Sequence, residues 1–214
     1  MQLNRFEKFL VNNPARWLHQ RWIESTLLRS CLPRRTWESA LFIGCGDGAE
    51  VTILGSALGP KRIDAFDIDA DQIQRARHRL SRLRETQIRT WVGDAARTTA
   101  GASQYDLAVN WGVFHHVPNW RRAIAQAVRA LKPGGWFLFF EVPGHKITSR
   151  VYRALFDHPL EDRFEWTDFQ EECERAGLRF NNGPPRKYFG FFYGAARKPL
   201  IGADTPEERD PRRE

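Results

Sequence analysis

The sequence predicts a doubly wound α/β domain, a mostly parallel sheet with helices on both faces. Three observations predict it. From Ser39 onward, short apolar runs alternate with amphipathic helical stretches, the pattern of parallel strands joined by crossover helices. The first run ends in a glycine-rich turn that opens a helix. The chain has 214 residues, 42% hydrophobic and 28% charged, which suits one domain with a buried core rather than a disordered polymer.

Taken in order, residues 1–38 form a helical N-terminal extension, with Trp17, Leu18, Trp22, Ile23, Leu27 and Leu28 at three- and four-residue spacings and arginines between them. Such a segment covers the sheet or a pocket, or presents a lid or a face for peripheral membrane contact. Ala40–Ile43 is the first strand, followed by Gly44-Cys45-Gly46-Asp47-Gly48 and a helix through Val51, Leu54 and Leu58. The second strand is Arg62–Asp67. Asp69 and Gln72 then form a capping box for a helix that buries Ile73, Ala76, Leu80 and Leu83. Ile88–Val92 and Tyr105–Asn110 are the third and fourth strands. A helix with Ala123, Ile124, Ala127, Val128 and Leu131 inward stops at Lys132-Pro133-Gly134-Gly135, and Trp136–Val142 is the fifth strand. Thr167–Ala176 is a capped helix ended by Gly177; Leu178–Phe180 and Tyr188–Ala196 supply the last strands. The expected organisation is thus 1–38 extension, 39–198 domain and 199–214 disordered charged tail.

Composition excludes several classes. The longest apolar run, Trp136–Phe140, is far short of the roughly 20 residues that span a bilayer. The first residues are broken by charges and a proline, so no transmembrane segment or signal-peptide core is expected, and the expected address is cytoplasmic. Cys31, Cys45 and Cys173 stand apart with no paired spacing, which fits a reducing compartment and gives no metal-ligand set. The net charge of +7 is spread along the chain and balanced in the tail, so nucleic acid is an unlikely partner.

In an open sheet of this kind, ligands bind beyond the carboxyl ends of the strands, where strand order reverses. The sequence concentrates unusual residues there. Gly44, Cys45 and Gly46 form a turn whose backbone can approach a ligand closely. Asp67, 23 positions after Gly44, ends the second strand, where a carboxylate can accept hydrogen bonds from ribose hydroxyls. Asp94 ends the third strand with Ala95 beside it, placed for an adenine amino group. Gly44–Ala49 also satisfies the dinucleotide fingerprint G-x-G-x-x-[GA]. No Tyr-x-x-x-Lys pair follows any tyrosine, however, and little chain remains after Val142 for a separate catalytic domain, so a nicotinamide enzyme is not expected.

ALFIGCGDGAE, DAFDID, VGDA, YDLAVNWGVFHHVPNW and RALKPGGWFLFFEV resemble the successive motifs of class I S-adenosylmethionine-dependent methyltransferases, nearest to the small-molecule, ubiquinone/menaquinone-type group. The resemblance runs from about Ser39 to Val142. It implies a Rossmann-like seven-stranded sheet with its last strand antiparallel, and S-adenosyl-L-methionine as cofactor. It also implies contacts from Gly44, Cys45 and Gly46 to the methionine part, Asp67 to ribose, Asp94 and Ala95 to adenine, and Asn110 near the methionine end. Ile68 and Trp111, next along the chain from Asp67 and Asn110, complete the candidate set. One position departs from the family pattern: Phe42 stands where members carry an acid two residues before the first loop glycine.

Methyl transfer from a sulfonium needs alignment above all, and positioning can supply about 7–11 kcal/mol. Where the acceptor must lose a proton, a base adds about 10²–10⁴-fold. His115 and His116, after the fourth strand, are the candidate bases, and Glu141, ending the fifth, is the next. Residues 143–166 carry His145, Arg150, Tyr152, Arg153, Phe156, His158, Arg163, Phe164 and Trp166, which could clasp an aromatic or anionic small-molecule acceptor or pack on the sheet. Two other readings stand beside the small-molecule enzyme: an RNA methyltransferase, from the charge, and a non-catalytic S-adenosylmethionine-binding protein, from Phe42. No metal is expected.

Overall fold

The computed structural model describes residues 14–83, 86–97, 100–148, 162–181 and 183–200. Its strands are β1 (Ser39–Ile43), β2 (Arg62–Asp67), β3 (Gln87–Val92), β4 (Tyr105–Trp111), β5 (Leu131–Glu141), β6 (Arg186–Tyr188) and β7 (Phe191–Arg197). They join in one sheet in the order β3-β2-β1-β4-β5-β7-β6. The first five are parallel and β7 runs against β5, as the sequence implies. Order reverses between β1 and β4, so their carboxyl ends flank the crevice where such sheets bind ligands.

The helices are α1 (Pro14–His19, continued by a π-helical turn Gln20–Glu24 and by Ser25–Arg29), α2 (Ala49–Leu58), α3 (Ala70–Leu80), α4 (Trp120–Ala130), α5 (Gly144–Ile147) and α6 (Trp166–Arg175). Strand side chains alternate between two cores. Ala40, Phe42, Val109 and Trp111 pack with α1, α2 and α3 on one face. Leu41, Ile43, Ala108 and Phe137 pack with α4 and α6 on the other, among the rings of Phe114, Trp120, Phe139, Phe169 and Phe192. A strand buried on both sides needs apolar residues throughout, and all five residues of β1 are buried. None of the described helices is long and apolar enough to cross a membrane.

Several local expectations are corrected. Helix ends at Arg29, and Ser30–Glu38, with Pro33, is not helical. The Asp69 side chain caps α3 as expected, accepting from Asp71 and Gln72 N–H, but Asp69's own N–H goes to Asp67 Oδ1 and not to the Gln72 amide. α6 starts at Trp166 because Glu165 and Asp168 form its capping box, one turn-step before Thr167. Leu178–Phe180 is no strand; only Arg179 bridges to Arg197, and Pro184 and Pro185, which follow, lack the N–H groups a ladder needs. The single strand expected at Tyr188–Ala196 is a hairpin, turned by Phe189 (φ +46°) and Gly190 (φ +75°), the both-positive geometry of a tight two-residue loop. The expected tail disorder falls on residues that, from 201 on, lie outside those described.

Candidate functional site

The tip of β1 passes into a turn that only glycine fits. Gly44 has φ +66°, and a Cβ there would stand 2.5 Å from Val113 Cγ1, so the turn lies directly against the loop after β4. Gly46, at φ +50°, has nothing within 4 Å of where its Cβ would be, which leaves open space beside bare backbone. The Cys45 side chain is buried in the core, where burial pushes its thiol pKa well up, so only its backbone can serve a ligand.

Asp67 ends β2 next to that turn. Its Oδ2 accepts Gly46 N–H at 2.9 Å and its Oδ1 accepts Asp69 N–H at 2.9 Å, tying the two loops together. Burial raises its carboxyl above the ordinary range, and those backbone donors pull it part of the way back. Ile68 beside it is 46% exposed, an apolar surface at the strand tip. Asp94 follows β3, which pairs with β2 up to Asp67–Val92. Its Oδ1 caps the short 3-10 turn Ala95–Arg97 through Ala96 N–H, leaving the carboxylate partly exposed. The turn, Asp67 and Asp94 thus stand on three adjacent strands, and strand neighbours lie about 4.8 Å apart.

On the other side of the crevice, Glu141 organises the tips of β4 and β5. It is fully buried. Oε1 accepts from Asn110 Nδ2 (2.9 Å), Val113 N–H (3.0 Å) and Phe114 N–H (2.7 Å); Oε2 accepts from His115 Nδ1 (2.6 Å) and Val142 N–H (3.2 Å). Five donors on one carboxylate make it an anchor, not a group that meets an acceptor. Since Nδ1–H of His115 faces that carboxylate, the nitrogen able to take a proton is Nε2. His115 is buried and its ring lies 4.1 Å from the partly exposed His116 ring. Asn110 is also fully buried, and its Oδ1 has no hydrogen-bond partner. Buried Trp111 donates through Nε1 to Glu24 Oε2 at 2.7 Å.

Glu24 and its neighbours are the residues that sequence reasoning missed. The carboxylate sits almost fully buried on α1, also meeting His19 Nδ1 at 3.1 Å, while His19 Nε2 contacts the Tyr188 hydroxyl at 3.2 Å. Gln20 Nε2 donates to Glu50 Oε1 at 2.9 Å in the first turn of α2. α1 therefore lays the Glu24 carboxylate at the β4 tip and, through Gln20, holds Glu50 of α2, just after the glycine turn. A signal existed: Glu24 is the one acid between Trp17 and Trp37 in an otherwise basic segment. Phe42, where the family pattern has its acid, is 3% exposed and packs in the core with Leu28, Val109 and Trp111. Of the acceptor stretch, residues 149–161 (Arg150, Tyr152, Arg153, Phe156 and His158 among them) lie outside those described. His145 is exposed and paired with Glu165, and Phe164 is buried in the aromatic core. Among the described residues, no group of three or more His, Cys, Asp or Glu could hold a metal ion.

Known proteins share this fold and part of this sequence. Residues 41–137 match the family model described as a methyltransferase domain. The chain is 28% identical over 123 residues to a fatty-acid O-methyltransferase of Mycolicibacterium smegmatis, covering 56% of this chain and 43% of that protein. It is 29% identical over 115 residues to a phthiotriol/phenolphthiotriol dimycocerosates methyltransferase of Mycobacterium tuberculosis, covering 52% of this chain and 41% of that one. The chain thus spans less than half the length of these relatives. Among solved structures, a SAM-dependent methyltransferase from Aquifex aeolicus superposes with a TM-score of 0.70 at 16% identity, over 91% of this chain and 97% of that one, which establishes the shared fold.

Proposed function

We infer that this chain, which carries a class I, Rossmann-like methyltransferase domain, uses S-adenosylmethionine to methylate a small-molecule acceptor. The observation that carries the reading is the meeting of a bare-backbone turn, Asp67 and Asp94 on three neighbouring strand tips. The residues present fit the cofactor: open space at Gly46, a half-buried acid at the ribose position, an apolar Ile68 surface and an Asn110 oxygen with no hydrogen-bond partner among the described residues.

When bound, S-adenosylmethionine supplies a methyl group on a sulfonium that is already reactive. The protein's work is to hold, align and exclude water. Gly44, Cys45 and Gly46 offer backbone to the amino-acid end. Asp67 would hold the sugar, and Ile68, Asp94 and Ala95 would hold the base. Asn110 and Trp111 close the methionine end, where Glu24 and Glu50 give negative charge that the Phe42 position lacks. Glu141 fixes the β4 tip and the His115 tautomer, so that Nε2 can take a proton from a hydroxyl acceptor.

The relatives named above act, by their names, on a fatty acid and on phthiotriol lipids, which supports a lipid-like acceptor and weighs against RNA. Three buried free cysteines support a cytoplasmic address. Calorimetry with S-adenosylhomocysteine should show micromolar-range binding, and label from S-adenosylmethionine should appear in a small extractable acid or lipid. No heat at protein concentrations well above that range ends the reading; binding without any turnover leaves the non-catalytic one.

A further inference from the structure

Among the described residues, Arg163 is a cation that faces no acid. The strand-like piece that holds it runs back against the turn after β5: Gly144 N–H donates to Phe164 O at 2.8 Å, and a Cβ on Gly144 would stand 3.0 Å from Arg163 Cβ. Phe164 beside it is buried against Trp120 and Phe169, which fixes the backbone. One guanidinium nitrogen, Nη1, donates to His115 O at 3.2 Å. Nε and Nη2 are buried and have no hydrogen-bond partner among the described residues. The described acids on either side are engaged elsewhere, Asp162 with Arg121 and Glu165 with His145. Burial accordingly lowers the guanidinium pKa, with no carboxylate opposing it.

A buried charge normally has a partner, because leaving one unpaired is strongly unfavourable. The two unpartnered groups, moreover, share one edge of the planar guanidinium. That edge matches the two oxygens of a carboxylate through parallel N–H···O bonds. Its place also matters: through His115 O and Gly144 it borders the tips of β4 and β5, on the acceptor side of the crevice.

We propose that Arg163 seats a carboxylate of the methyl acceptor through Nε and Nη2, so that the acceptor is an organic acid. This rests on the methyltransferase reading and narrows its substrate class. A carboxylate held there completes the donors that the described residues leave unmet.

The full chain is titrated by calorimetry with octanoate, octanol and octyl phosphate, and separately with S-adenosylhomocysteine. Octanoate should bind at least tenfold more tightly than octanol. Arg163→Met should abolish that preference without lowering the melting temperature of the ligand-free protein, since an unpartnered cation is replaced by an apolar chain. Arg163→Lys, which keeps the charge and loses the fork, should retain only part of it. Equal binding of octanoate and octanol by the wild type overturns the proposal even if no variant folds. So does a preference that survives in Arg163→Met, or tighter binding of octyl phosphate than of octanoate. Heat with S-adenosylhomocysteine but no carboxylate preference removes the Arg163 proposal alone. A carboxylate preference without S-adenosylhomocysteine binding supports the seat and removes the transferase reading.

Discussion

Two histidine–carboxylate pairs in this molecule have the same separation and opposite surroundings. His115 and Glu141 meet at 2.6 Å with side chains 6% and 0% exposed; His145 and Glu165 meet at 2.6 Å with side chains 67% and 39% exposed. In the first, water is excluded and the carboxylate collects four further donors from β4, its loop and Val142, so removing either partner strands groups that have nowhere else to bond. In the second, water can replace whatever is lost. Distance alone therefore says little about what a polar contact does. Burial and the number of dependent groups decide.

The sharpest way to break this contrast is Glu141→Ala. It leaves two backbone N–H groups of the β4 loop, the Asn110 amide and the His115 ring without their acceptor. A loss of about 3–5 kcal/mol is expected, the range for breaking a buried charged contact. Urea unfolding would read it; a loss below about 1 kcal/mol would mean that the loop re-pairs and that burial is not decisive.

His115→Asn comes next. The new amide can still donate to Glu141, so the loop should survive, while the nitrogen in the Nε2 position is gone. On an acceptor whose attacking atom is a hydroxyl, kcat should fall about 10²–10⁴-fold, with affinity for S-adenosylhomocysteine within about twofold of wild type. An unchanged kcat would take the proton-accepting role away from His115.

Asp67 sharpens the comparison from a third direction, being half-buried and open to a ligand. Asp67→Ala should weaken S-adenosylhomocysteine by about 1–3 kcal/mol. The pH dependence has a definite sign. The ribose hydroxyls need the ionised carboxylate, and burial raises its pKa. Affinity should therefore fall on acidification, beginning above the usual carboxylate range of about 3.9. For the ligand-free protein the sign is opposite: a raised carboxyl pKa lowers stability at neutral pH, and that loss is recovered as pH drops through the folded value. Asp67→Asn, which cannot ionise and keeps one acceptor oxygen for the two backbone N–H groups, should flatten both profiles.

These sites differ in how far the chain alone reveals them. The glycine turn, Asp67 and Asp94 were legible because strand–turn–helix order places them, each within a few residues of its own strand end. Glu141 and His115 were visible as residue types, but the difference between a base and an anchor depends on donors 26–31 positions away that only the β4–β5 pairing brings in. Glu24 stood out only as the one acid of a basic segment; its role was hidden, because its partner Trp111 lies 87 positions on. The hairpin at Phe189 was hidden for a different reason: a left-handed phenylalanine, 82% exposed, carries none of the Asn-Gly chemistry by which such turns are read.

The smallest effect belongs to the exposed pair, and it tests whether exposure alone makes a contact weak. Glu165 does more than meet the His145 ring: Oε1 accepts His145 N–H at 2.7 Å, and the side chain belongs to the capping box of α6. His145→Ala removes only the ring contact, since the backbone donor and the cap remain, and should cost less than about 1 kcal/mol. Glu165→Ala removes the cap as well and should cost about 0.5–2 kcal/mol. Thermal melts of the two variants, run at low and at high salt, separate the contributions: the His145 effect should shrink with salt and the cap's should persist. If His145→Ala costs as much as Glu165→Ala, the exposed pair is coupled to its surroundings as tightly as the buried one, and exposure ceases to be what distinguishes them.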